Sequence, residues 1–195
     1  MSSALRQLRY LAADANRIVN GKWWRLYGLP FSSGFHAVAL YRFDRCLYLA
    51  LGRAWAVLRL LLAPVSFLLS PWIRGSELHY KADIGPGILI LHPSLGVVVS
   101  AYSVIGRNVM FTGGNCIGVR GANRRGLAIE LGDHVIMGVN AVILGPLRVG
   151  SRVTIGANSA VLHDIPDGVS VGGVPAHPLG GSKKALVATA VATTP

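Results

Sequence analysis

From Leu131 onward an aliphatic residue recurs every six positions. The blocks read LGDHVI, MGVNAV, ILGPLR, VGSRVT, IGANSA and VLHDIP, opened by Leu131, Met137, Ile143, Val149, Ile155 and Val161. Glycine follows in four of the six, and the fifth position is small or apolar (Val135, Ala141, Leu147, Val153, Ser159). Helices repeat every 3.6 residues and half-buried strands every 2, so a period of six is neither. It is the signature of a hexad β-helix, in which each block is a short strand plus a tight corner. The aliphatic residue points inward and stacks on its equivalents in coils about 4.8 Å apart. Gly138, Asn140, Gly150, Gly156 and Asn158 suit the backbone that such corners need. A β-sandwich with Gly-rich turns would not hold six consecutive hexads in phase.

The rhythm continues upstream with two faults. Ile84, Ile90, Ile105, Phe111 and Ile117 keep the phase; it slips between Ser94 and Val99 and vanishes in VRGANRRGLAIE. A solenoid accommodates an insertion as a surface loop at a corner, often on its binding face. The reading is therefore a mainly β chain in three parts. Residues 1–75 form an α-helical segment, residues 76–180 a β-helix with an inserted loop at 119–130, and residues 181–195 a flexible tail. The hexads themselves run from about Glu77 to Ile165, after which DGVSVGGVPAHPLG leaves the coil and folds back.

The first 75 residues carry helical patterns instead. Residues 4–20 predict a first helix, WWRLYGLPFSSG a linker or turn, and HAVALYRFDRCLYLALGRAWAVLRLLL a long helix broken near Pro64. A helical wheel puts Arg42, Arg45, Arg53 and Arg59 on one arc about 120° wide.

Charge and hydropathy then narrow the classes. The net charge is +11, which suits nucleic acid, an anionic membrane or an anionic ligand. No nucleic-acid module is visible. The uncharged stretch Leu60–Ile73 falls short of the roughly 20 residues that span a bilayer. Two readings of that apolar helix stay open: an interfacial helix with its arginines toward lipid phosphates, or a helix buried between subunits. No charged region with a cleavage site opens the chain, so no signal peptide is expected. Cys46 and Cys116 lack metal-ligand spacing, and a reduced cytoplasmic setting is expected, peripheral to the inner membrane face where the helix meets lipid.

A β-helix is a scaffold, so chemistry must be sought at individual residues. His92, in IGPGILILHPSLG, lies at the first fault on an otherwise aliphatic coil. A histidine titrating near neutrality can serve as a general base, given an acceptor that fixes its tautomer. Glu77 and His79 precede it by 15 and 13 residues, close to one coil, and either could stack beside it.

The stretch GFHAVALYRFDRCLYL, followed by ELHYKADIGPGILILHPSLGVVV, the hexads and finally GVPA, resembles the serine O-acetyltransferase branch of the hexapeptide acyltransferases, from about Gly34 to Gly180. The resemblance implies a left-handed parallel β-helix, a homotrimer or dimer of trimers, acetyl-CoA as donor in grooves between subunits, and no metal. It matches His92 to the catalytic histidine, Glu77 to the carboxylate that orients it, and His79 to a histidine of the same segment. The main-chain contacts of acetyl-CoA fall on Val119, Val139 and Ala157. Lys183 and Lys184 are candidates for the cofactor's 3′-phosphate.

The departures bear on the acceptor. Leu91 stands where the family carries an aspartate, and Leu127 and Ala128 stand where it carries an Arg-His pair. Without these groups serine loses most of its polar partners, a cost of several kcal/mol. The loop offers Arg120, Arg124 and Arg125 instead, suited to an acidic or phosphorylated acceptor. The resemblance and its departures together predict an O-acetyltransferase for a sugar or polysaccharide precursor. Serine O-acetylation and an inactive β-helix scaffold are the alternatives.

Overall fold

A computed structural model describes residues 3–62, 64, 75–121 and 128–179. From Ser76 the chain visits three parallel sheets in strict rotation. The first sheet holds β1 (Ser76–Leu78), β4 (Val97–Val99), β7 (Asn115–Val119), β10 (Val142–Gly145) and β13 (Ala160–Val161). The second holds β2 (Asp83–Ile84), β5 (Ser103–Ile105), β8 (Ile129–Leu131) and β11 (Leu147–Val149). The third holds β3 (Leu89–Ile90), β6 (Met110–Phe111), β9 (Ile136–Met137), β12 (Thr154–Ile155) and β14 (Ser170–Gly172), with β15 (His177–Pro178) at its edge. One strand on each sheet makes one coil.

The register explains both faults of the hexad pattern. Ile136 pairs with Thr154 and Val142 with Ala160, each 18 positions on. Leu89 pairs with Met110, an offset of 21, and Met110 with Ile136, an offset of 26. The first fault is thus a three-residue insertion beside the 3₁₀ turn Pro93–Leu95, and the second an eight-residue insertion at the loop. Neither disturbs the inward columns. Ile84, Ile105, Leu131 and Val149 stack in one; Ile90, Phe111, Met137, Ile155 and Val171 in another; Val99, Ile117, Ile143 and Val161 in the third. All are buried, each contributing roughly 1.5–3 kcal/mol. Phe111 is the largest apolar side chain among them and fully buried. Phe111→Ala is expected to lower unfolding free energy by about 3–5 kcal/mol, measured by urea denaturation.

The glycines do a different job from the one expected. Gly138, Gly150 and Gly156 do not have positive φ. A Cβ on Gly138 would lie 2.6 Å from the Ala157 amide nitrogen, and one on Gly150 2.5 Å from that of Asp167. They are needed because successive corners stack too closely for a side chain. Left-handed positions are taken by Asn140 and Asn158 (φ 57° and 54°), joined by a 3.3 Å side-chain hydrogen bond, by Asn108, His134 and Arg152, and by other glycines such as Gly87, Gly114 and Gly168.

The helical end comprises α1 (Ser3–Val19), a 3₁₀ segment Trp23–Phe31, α2 (Ser33–Leu51) and α3 (Arg53–Leu61). The linker reading of residues 23–31 therefore gives way to a 3₁₀ segment. The single long helix is in fact two, divided at Gly52 (φ 57°), which caps α2 and opens α3. The arc of arginines is corrected as well. Arg42 is buried and ion-paired with Asp14 at 2.8 Å, Arg45 is buried against the first coil, and Arg59 pairs with Asp44 at 3.3 Å. Three of the four are engaged with the protein and not with lipid. Among the described residues no helix is long and apolar enough to cross a membrane; residues 65–73 of the apolar stretch lie outside them.

Side chains from α1 and α2 satisfy the open backbone of the first coil. The Tyr41 hydroxyl donates to the Ala82 carbonyl (2.8 Å) and accepts from the Ile84 amide (3.1 Å). Arg42 donates to the carbonyls of Ile84 (2.6 Å) and Gly85 (2.7 Å), and Arg45 to those of Tyr80 and Lys81. The Asp14 carboxylate accepts from the amides of Gly87 (2.7 Å) and Ile88 (2.9 Å). Burial pushes the Tyr41 phenol up to about 12, so it stays a donor at any physiological pH. At the far end β15 turns back antiparallel on β14, as the Gly/Pro-rich segment predicts, although Ser170–Gly172 still belongs to the third sheet.

Candidate functional site

The corner after β3 carries His92. Strand pairing fixes its backbone: the Leu91 amide donates to the Phe111 carbonyl (3.0 Å) and the His92 amide to that of Thr112 (2.9 Å). The His92 carbonyl then accepts from the Leu95 amide (3.2 Å), closing the Pro93–Leu95 turn. The side chain is exposed, as are those of Leu91 and Leu95 on either side. A base that must meet an external hydroxyl has to be reachable, and this one is.

Two glycines that the sequence reading passed over hold this corner. A Cβ on Gly34, in the first turn of α2, would lie 2.9 Å from the Ile90 carbonyl and 3.5 Å from the Pro93 ring. A Cβ on Gly113 (φ 139°) would lie 2.6 Å from the His92 carbonyl and 3.2 Å from its Cβ. The corner is thus pressed between a helix behind and the next coil beside it. The signals were present in GFHA and FTGGN, but sequence does not say what a glycine touches. Gly34→Ala is expected to destabilise by about 1–3 kcal/mol through overpacking, read as a lowered melting temperature.

His79 and Glu77 stand elsewhere than one coil before His92. Both open the first coil, which His92 closes. Glu77 lies mid-strand on β1, exposed, in an outward row with Val98, Cys116, Val142 and Ala160. His79 follows β1 at the opposite end of the first sheet, where its amide donates to the Val99 carbonyl. Among the described residues no hydrogen bond joins either to His92. The rotation of the sheets is the reason: the residue one coil on from Glu77 is Val98, whereas His92 lies farther along the same coil, at the corner after β3.

His79 has its own setting. Its ring stacks on Tyr80 at 4.6 Å, and Nδ1 accepts from the Lys81 amide at 3.1 Å. Burial lowers its pKa, helped by the nearby charges of Arg59 and Lys81, while Glu77 and Asp44 oppose the shift. A neutral ring whose Nδ1 accepts a hydrogen bond carries its proton on Nε2, so His79 is built to donate. It lines a cleft of about 510 Å³ with Lys81, Ser100, Tyr102 and Val119.

The three cofactor candidates divide between two corners. Val139 and Ala157 follow β9 and β12 and stack on the side of the coil that carries His92; the Asn158 amide donates to the Val139 carbonyl at 2.8 Å. Val119 ends β7 opposite Gly145, at the far end of the first sheet from the corner that carries Val139. Arg120 is exposed and tied down, its guanidinium donating to the Leu162 carbonyl at 2.9 Å. Arg124, Arg125, Lys183 and Lys184 lie outside the described residues. Among the described residues no group of His, Cys, Asp or Glu could hold a metal ion.

No family model matches the chain. A serine acetyltransferase of Staphylococcus aureus is 37% identical over 109 residues, which cover 56% of this chain and 51% of that protein. The chain thus spans about half the length of the curated relatives it matches. The crystal structure of Neisseria gonorrhoeae serine acetyltransferase in complex with serine is 32% identical, with a TM-score of 0.73 over 89% of this chain and 69% of that one. A serine acetyltransferase in complex with CoA is 29% identical, with a TM-score of 0.68 over 89% and 69%.

Proposed function

Because the chain belongs to the serine acetyltransferase family, we propose that it transfers an acetyl group from acetyl-CoA to an alcohol hydroxyl, within a left-handed β-helix assembled as a trimer. The observation that carries this reading is His92 held at an exposed corner by two backbone hydrogen bonds and two close glycine contacts. His92 takes the proton from the acceptor hydroxyl as its oxygen attacks the thioester carbonyl carbon. The tetrahedral intermediate collapses, the C–S bond breaks, and the departing sulfur receives that proton; the products are the acetyl ester and CoA. A main-chain amide of the groove stabilises the oxyanion. Orientation of the imidazole by Glu77 rests on the family resemblance alone, since no hydrogen bond joins the two among the described residues. The separation of Val119 from Val139 and Ala157 supports an assembly, since a pantetheine arm touching both corners takes one from each of two copies. Exposed apolar side chains on the coils, among them Val98, Val104 and Ile136, support the same packing.

Serine is the acceptor that the relatives' names support. A second reading, a sugar or saccharide precursor, is favoured by the exposed apolar Leu91 beside His92 and by Ala128 at the end of the loop, two positions that carry no charge for an amino acid. Release of CoA from acetyl-CoA by the purified protein separates the two. Turnover with L-serine establishes the first, turnover with sugars alone the second, and no turnover with any hydroxyl overturns the enzyme reading.

A further inference from the structure

The 3₁₀ segment Trp23–Phe31 buries only Leu29. Trp23 (67% exposed), Trp24 (56%), Tyr27 (74%) and Phe31 (88%) are turned outward, with Leu26 beside them. Trp23 meets Trp24 and Tyr27 edge-on, each at 6.4 Å, so the rings form one cluster. Cations flank it: Lys22 Nζ lies 5.8 Å over the Trp24 ring, and Arg25 is exposed. An apolar patch of this kind on a protein surface marks an interaction site.

The charge around it selects the occupant. Residues 1–62 hold nine Lys and Arg against two acids, Asp14 and Asp44. Both acids are buried and ion-paired, with Arg42 and Arg59. Within the helical segment the described residues therefore show cations and aromatics with no exposed carboxylate of their own; Asp83, the carboxylate of the first coil that is ion-paired to it, is held by Arg45 at 3.2 Å. A second copy would present the same sign of charge and be repelled. Amphipathic aromatic rings at the level of lipid headgroups, with Lys and Arg on the phosphates, are what a protein at an anionic bilayer surface shows.

We propose that the segment Lys22–Phe31 docks the protein on an anionic phospholipid surface, the rings of Trp23, Trp24, Tyr27 and Phe31 entering the headgroup region and Lys22 and Arg25 meeting lipid phosphate. This is a different element from the apolar helix that the sequence singles out, and it does not rest on the acetyl-transfer reading. Co-sedimentation of the full chain with vesicles of phosphatidylglycerol and phosphatidylcholine, against phosphatidylcholine alone, tests it. At least tenfold stronger partition to the anionic vesicles is expected, falling at least tenfold in the triple variant Trp23→Ser, Tyr27→Ser, Phe31→Ser and in the pair Lys22→Glu, Arg25→Glu. Circular dichroism melting of the charge-reversal pair, whose side chains are exposed, is expected to match the parent. Absent binding to anionic vesicles, or equal binding by the variants, overturns the proposal. So does a triple variant that changes only the oligomeric state in analytical ultracentrifugation, which would assign the patch to a second copy.

Discussion

His92→Ala is expected to lower the rate of CoA release with acetyl-CoA and a productive hydroxyl by about 10²–10⁴-fold, the usual contribution of a positioned general base. The side chain is exposed and makes no hydrogen bond among the described residues, so its removal leaves the fold intact. Melting curves of the variant should overlay those of the parent. That pairing of a large catalytic loss with no loss of stability is what distinguishes a base from a structural corner residue. A variant retaining more than a tenth of parental turnover would remove His92 from the mechanism. Glu77→Gln is the companion measurement: it keeps the shape and removes the charge, so an orienting role predicts a smaller fall in kcat than His92→Ala gives.

Asp14→Ala is expected to be the most destabilising single change at the helical end, at about 3–5 kcal/mol. Asp14 is fully buried and accepts from Arg42 Nε at 2.8 Å as well as from the amides of Gly87 and Ile88. Removing it strands a guanidinium in the interior and two amides without an acceptor. Arg42 lies over the rings of Tyr10 and Tyr41, which do not replace a counter-ion. Urea unfolding measures the loss. The double variant Asp14→Ala, Arg42→Met should recover part of it, because a buried pair replaced by apolar groups costs less than a broken one. Additive losses would show that the two residues do not act as a pair.

The columns were legible in the sequence because a solenoid imposes one inward residue per hexad, and Ile84 to Val161 keep that rule across both insertions. The candidate site was legible only in part. The resemblance singled out His92, but the placing of Glu77 and His79 took 13 to 15 residues for one coil, and the residue one coil on from Glu77 is Val98. The helical wheel grouped Arg42, Arg45, Arg53 and Arg59 by assuming an unbroken helix, and the break at Gly52 divides them between α2 and α3. It could not say what the arc meets, and Asp14, the partner of Arg42, lies 28 residues away on another helix. Gly138 and Gly150 were assigned to corner conformation when their constraint is the coil stacked beside them, a distance that no local pattern records. The aromatic run 23–31 was read as a linker or turn because its 3₁₀ segment buries only Leu29 and so shows no amphipathic pattern.

The side-chain hydrogen bonds that α1 and α2 make to Tyr80–Ile88, and the reversal of β15 on β14, share one consequence. A column of parallel coils ends in two rows of unused amides and carbonyls, each a template for another chain. Here one row is consumed by helices and the other ends in an antiparallel turn. The helices therefore fix where the coils begin, and stripping them away would expose an edge at which end-to-end growth into a filament could start.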